Sequence, residues 1–260
     1  MQITANGIGF NCRIDGPDGA PPLVLSNSLA TTLSMWDPQV ADLKRSFRVI
    51  RYDQRGHGGT DAPAGRYTFA TLIADAVAVL DALGIARAHF CGLSMGGATA
   101  LGLAELHPGR VDRVIVCCTP AMSTPASAQQ WEDRIRTATD GGMEALVEPT
   151  LARWFPPEIH AARPPYLDAV RTMIRATSRN GFIGCAAALA DHDYNGAVAT
   201  VMQPVLFVAG AKDGANPAAM RDMHARLRSS RYVELEGAGH ICNLDRAAEF
   251  TRAVEEFLHV

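Results

Sequence analysis

The 260-residue sequence has no apolar run approaching the ~20 residues that cross a bilayer. A membrane-spanning segment is not expected. A basic stripe is missing too: 24 Lys and Arg stand against 27 Asp and Glu, for a net charge of −3. Nucleic acids are bound by clustered cations, so they are not an expected partner. The opening segment Met1-Gln2-Ile3-Thr4-Ala5-Asn6 lacks a basic stretch followed by an apolar one. A cytoplasmic location is therefore expected. No pair among Cys12, Cys91, Cys117, Cys118, Cys185 and Cys242 has zinc-ligand spacing. Without an export signal these six read as buried thiols rather than a disulfide framework. No metal and no cofactor is expected. Internal repeats and low-complexity tracts are absent as well.

What is there is ordinary in bulk and informative in pattern. Hydrophobic residues make up 48% and charged residues 20%, as in globular proteins with a sizeable core. The length suits one large domain, or one domain with an insertion. Short apolar runs at 22–26, 47–52, 89–92, 114–118, 205–209 and 231–235 read as strands buried on both faces of a parallel sheet. Helical periodicity fills 69–83, 96–107, 217–227 and 247–258. Residues 2–14 look like an antiparallel hairpin at the sheet edge. This alternation predicts an α/β fold with a mostly parallel eight-stranded sheet flanked by helices. It breaks between about 123 and 195. That stretch holds helical patterns at 128–138, 142–154, 166–178 and 182–190, with a loop at Phe155-Pro156-Pro157. The expected organisation is a core of 1–122 and 196–260 with a helical cap, 123–195, over the carboxyl edge of the sheet. Ligands bind at that edge in open α/β sheets.

Gly92-Leu93-Ser94-Met95-Gly96 fits G-x-S-x-G between a strand and a small-residue helix. That context is what the nucleophile elbow requires. The serine sits on a tight turn, so the residues two positions either side must be small. A serine nucleophile needs a base and a group that orients the base. His240 follows the last strand at the carboxyl edge. His107, His160, His192, His224 and His259 are less suitably placed, and His57 is expected to stabilise a turn. Asp213 follows the strand 205–209, whereas the end of the strand before it reads Thr119-Pro120, without a carboxylate. The candidate triad is Ser94, Asp213 and His240. The oxyanion hole is expected from the backbone N–H groups of Met95 and Leu29.

Together these residues resemble the α/β-hydrolase superfamily over almost the whole chain. Within it the chain is similar to the 3-oxoadipate enol-lactonase family. The resembling segments are Asn27-Ser28-Leu29 with its flanks to Gln39, Asp53-Gln54-Arg55-Gly56-His57-Gly58, the serine elbow, and Arg153-Trp154-Phe155. Ala176-Thr177-Ser178 and Asp191-His192-Asp193-Tyr194 complete the set. Ala30 departs from the glycine usual at its position. The resemblance implies hydrolysis of 3-oxoadipate enol-lactone to 3-oxoadipate, a step of aromatic breakdown, with the anionic lactone and water as partners. Oligomeric state is left open. It also implies a cationic partner for the substrate carboxylate. Arg134 and Arg153 are the candidates, with a solvated helix face as the alternative for either. Trp131 and Trp154 would line the pocket or serve as core aromatics of the cap. Asn27 and Ser28 would touch ligand or hold the oxyanion loop.

Fold alone does not fix the substrate. The same scaffold would serve another esterase, lactonase or C–C hydrolase, or a cofactor-free haloperoxidase-like enzyme. A ligand-binding receptor with a vestigial triad is the reading from another class. The intact set of Ser94, Asp213 and His240 argues against it.

Overall fold

The protein is described by a computed structural model covering residues 1–259. An eight-stranded sheet forms its centre, in the order β1-β2-β4-β3-β5-β6-β7-β8. The strands are β1 (Gln2–Ala5), β2 (Ile8–Asp15), β3 (Pro22–Ser26), β4 (Arg48–Tyr52), β5 (Ala88–Leu93), β6 (Val111–Cys117), β7 (Val205–Gly210) and β8 (Ser230–Leu235). β1 pairs with β2, and β2 with β4, antiparallel; every other pairing is parallel. β7 is buried along its whole length, and four of the five residues of β3 are buried. Such strands have no polar face to display, which is why they read as continuous apolar runs. Strand order reverses at β3, between β4 and β5, and the crevice beyond that point is where ligands bind in such sheets.

Helices α1 (Asp37–Leu43), α2 (Phe69–Ala82), α3 (Met95–Leu106), α9 (Asn216–Arg226), α10 (Cys242–Asp245) and α11 (Ala247–Leu258) surround the sheet. α3 covers β5 and β6 and packs beside α2, which also rests on β1; α1 packs on α11. Between β6 and β7 come α4 (Pro125–Gly141), α5 (Val147–Trp154), α6 (Pro157–Ala162), α7 (Pro165–Ala176) and α8 (Arg179–Asp191), with no strand among the described residues there. α4 packs along α8, and α5 against α7.

Two helices differ from expectation for one reason. Phe155-Pro156-Pro157 was expected as loop, yet Pro157 opens α6, and Pro38 stands in the first turn of α1. Proline is tolerated there because its missing N–H would have no intrahelical partner in any case. The pattern over 142–154 is also broken. Gly142, at φ 68°, ends α4, and a short 3₁₀ turn precedes α5.

No helix among the described residues is long and apolar enough to cross a membrane. All six cysteines are buried as free thiols.

Candidate active site

Ser94 sits between β5 and α3 with φ 56° and ψ −111°, a conformation that side chains other than glycine rarely adopt. The turn is held by Ser94 N–H donating to Cys117 O at 2.8 Å. A Cβ at Gly92 would lie 1.9 Å from Gly96 O, and one at Gly96 would lie 2.2 Å from Ser26 O. The glycines of the motif are therefore demanded by backbone contact. The second contact also brings the end of β3 against the start of α3.

His240 and Asp213 reach the same edge from the ends of β8 and β7. His240 Nδ1 lies 2.9 and 3.0 Å from the two Asp213 oxygens. Asn216 Nδ2 donates to Asp213 Oδ2 at 2.8 Å and to Cys118 O at 3.4 Å. His240 Nε2 is buried with no hydrogen-bond partner among the described residues. Ser94, Asp213 and His240 line one cavity of about 510 Å³, within the ordinary range for small-molecule sites. Its wall continues through Thr119, Gln130, Trp131 and Arg153 to apolar Met122 and Leu189.

Leu29 and Met95 are buried. The N–H of neither is engaged by a described residue. The loop carrying Leu29 is fixed by polar side chains. Asn27 donates to Ser28 O (3.0 Å) and Thr31 O (2.8 Å), and its Oδ1 accepts from Gln54 N–H at 3.1 Å. Asn27 and Ser28 are fully buried and lie outside the cavity wall. Every polar atom of the Asn27 side chain is spent on the backbone, so it holds the loop. Ser28 Oγ is buried without a hydrogen-bond partner among the described residues.

The arginines of α4 and α5 are placed differently. Arg153 lines the cavity; Arg134 lies behind it in an adjoining cavity of about 320 Å³ that Arg153 and Gln130 share. Both guanidiniums lie over Trp131, 5.0 Å (Arg134) and 5.2 Å (Arg153) from the ring centroid. Arg134 donates to Thr150 Oγ1 at 2.8 Å, and its Nε is buried without a hydrogen-bond partner among the described residues. Neither arginine has a carboxylate partner among the described residues. Burial lowers the Arg134 pKa to about 9, with the Arg153 charge adding to the effect. The protein around its guanidinium lowers that of Arg153 too, against the opposing pull of Asp213, although the residue is exposed. Trp154 is not in the cavity wall. It stacks on His240 behind it, with ring centroids 5.8 Å apart.

Three residues near the site escaped the sequence reading of site roles. His57 does stabilise its turn, by Nδ1–H donating to Arg55 O at 3.0 Å, and its Nε2 also accepts the Ala30 N–H of the Leu29 loop. Asn216 was recoverable, being three residues from Asp213 at a helix start. His192 is in the cavity wall, and only the fold could place it there.

The family model for the alpha/beta hydrolase fold matches residues 21–163. The chain belongs to the α/β-hydrolase family. It is 34% identical over 253 residues to 3-oxoadipate enol-lactonase 2 of Acinetobacter baylyi, covering 97% of this chain and 94% of that one. A putative carbamate hydrolase, RutD, of Enterobacter cloacae is 30% identical, over 90% of this chain and 89% of its own. The crystal structure of the enol-lactonase from Burkholderia xenovorans LB400 superposes with a TM-score of 0.96 at 41% identity, covering both chains fully. The α/β-hydrolase protein described here is thus an enzyme, a hydrolase.

Proposed function

We propose that this hydrolase opens 3-oxoadipate enol-lactone to 3-oxoadipate, in the cytoplasm and within aromatic breakdown, using Ser94, His240 and Asp213. The core is assigned to 1–122 and 196–260 and the cap to 123–195. The observation that carries the substrate assignment is the arginine pair on Trp131. Two cations without a carboxylate partner among the described residues stand in and behind the wall of the cavity that holds Ser94 and His240. Arg134 is half-buried with its Nε shielded from solvent, whereas Arg153 is exposed; a shielded cation is costly unless paired, and a bound carboxylate supplies the pairing.

Ser94 Oγ attacks the lactone carbonyl carbon while His240 Nε2 takes its proton. Asp213 keeps Nδ1 protonated and stabilises the imidazolium. The N–H groups of Leu29 and Met95 receive the developing oxyanion. The ring C–O bond then breaks. The enolate oxygen takes the proton from Nε2, and the enol ketonises. The leaving group stays tethered to the acyl chain, so both must fit the one cavity. Water, deprotonated by His240, releases the acid and regenerates Ser94.

The likeness to a putative carbamate hydrolase favours a second reading, attack by the same serine on a carbamate. A fluorophosphonate probe tests the nucleophile common to both: wild type is labelled and Ser94→Ala is not. Equal labelling of the two proteins overturns the assignment. Relative kcat/KM for the lactone and for a small carbamate then chooses between the readings.

A further inference from the structure

His240 is held from the cap as well as from the core. Its backbone N–H donates to Trp154 O at 2.7 Å, and its ring lies 21° from parallel with the Trp154 indole. The residue before it is held too. Gly239 N–H donates to Asp245 Oδ2 at 2.8 Å. The other oxygen of Asp245 accepts the Tyr166 hydroxyl at 2.9 Å. Tyr166 belongs to α7, in the helical block between β6 and β7; Asp245 ends α10, in the core. A Cβ on Gly239 would lie 2.2 Å from Trp154 O, so the two backbones approach this closely only where a side chain is missing.

Asp245 is half-buried. Burial pushes its pKa up, and the bonds from Gly239 and Tyr166 pull it down. A carboxylate there is tolerable because both oxygens are hydrogen-bonded. Neither Asp245 nor Tyr166 lines the cavity that holds Ser94.

We propose that Tyr166 and Asp245 are positioning residues: the chain Tyr166–Asp245–Gly239 fixes the backbone that carries His240 and so ties the aim of Nε2 to the cap. This rests on the reading of His240 as the base. The pair acts through His240 and does not touch substrate, so its loss lowers kcat and leaves KM in place. A structural role alone would lower the unfolding temperature without changing turnover per folded site.

The test uses the full chain with p-nitrophenyl acetate, the active sites counted by a fluorophosphonate burst. Asp245→Ala should lose on the order of 10- to 100-fold in kcat, as a misaligned base does, with KM within about twofold of wild type. Asp245→Asn should recover most of the loss, because its amide can still accept from Gly239 and donate to the Tyr166 oxygen. Tyr166→Phe, which carries the test should Asp245→Ala not fold, should lose kcat by a smaller factor in the same direction. His240→Gln separates the two claims. If it is inactive while Asp245→Ala and Tyr166→Phe keep wild-type kcat, the positioning proposal alone falls. If His240→Gln keeps wild-type kcat, the base assignment and the proposal fall together.

Discussion

The backbone N–H of Ala30 donates to Nε2 of His57 across 2.8 Å. The bond fixes a tautomer, since an Nε2 that accepts carries no proton, and Nδ1–H donates to Arg55 O. It also ties the loop carrying Leu29 to the turn 55–58. Burial lowers the His57 pKa, which keeps the ring neutral and able to accept.

His57→Ala removes that acceptor and leaves a buried N–H unpaired. Stability should fall by roughly 1–3 kcal/mol, read from urea unfolding. The loop should also lose its setting, and kcat should drop about 10-fold, approaching the ~10²-fold of a missing oxyanion donor. Loss of stability with kcat intact would separate the loop from the oxyanion role.

The same histidine carries a pH dependence. Its folded pKa lies below its unfolded one, near 6.5. Below pH ~6.5 the unfolded chain takes up a proton that the native state refuses, so stability is full above that pH and is lost as pH falls through it. His57→Ala should flatten the stability profile below about pH 6.5, by up to ~1.4 kcal/mol per pH unit for one proton. Parallel profiles for wild type and variant would contradict this.

Ala30 holds φ 59°, in the left-handed region. Strain there is ~1–2 kcal/mol for a side chain with a Cβ; glycine gives back ~0.5–1 kcal/mol in backbone entropy. Ala30→Gly should therefore stabilise the protein by about 0.5–1 kcal/mol, seen as a rise in Tm, with kcat retained. A lower Tm would show that the alanine methyl packs well enough to outweigh the strain.

Arg153→Ala and Arg134→Ala should raise KM for the anionic lactone. Loss of a hydrogen bond to a charged group costs about 1.5–3 kcal/mol, or roughly 10- to 150-fold. The effect should be larger for Arg153, which is in the cavity wall. KM for neutral p-nitrophenyl acetate should change by less than about twofold. Equal effects on both substrates would assign the arginines to cap packing.

The sheet and the edge positions of the three triad candidates were legible because each rests on a local pattern. The strands β5, β7 and β8 are short apolar runs; Ser94 follows β5 directly, and Asp213 and His240 lie in the loops just after β7 and β8. Other features needed three dimensions. For Asn27 the sequence leaves ligand contact and loop holding both open; its amide is spent on the backbone of Ser28, Thr31 and Gln54. The link between His57 and Ala30 joins two loops 27 residues apart, and no periodicity encodes it. In sequence Arg134 and Arg153 read as carboxylate partners or as arginines on a solvated helix face; Arg134 is half-buried and Arg153 exposed. Only the packing shows that both share Trp131 and have no carboxylate partner among the described residues. The helix α6 was hidden by Pro156-Pro157, because proline both ends loops and starts helices.

The most direct measurement is turnover of enzymatically generated 3-oxoadipate enol-lactone by the wild-type protein, with Ser94→Ala beside it. The account predicts efficient hydrolysis to 3-oxoadipate, a kcat/KM well above that for p-nitrophenyl acetate, and loss of that activity in Ser94→Ala. Turnover of the lactone no better than that of the simple ester, or equal turnover by Ser94→Ala, would contradict it.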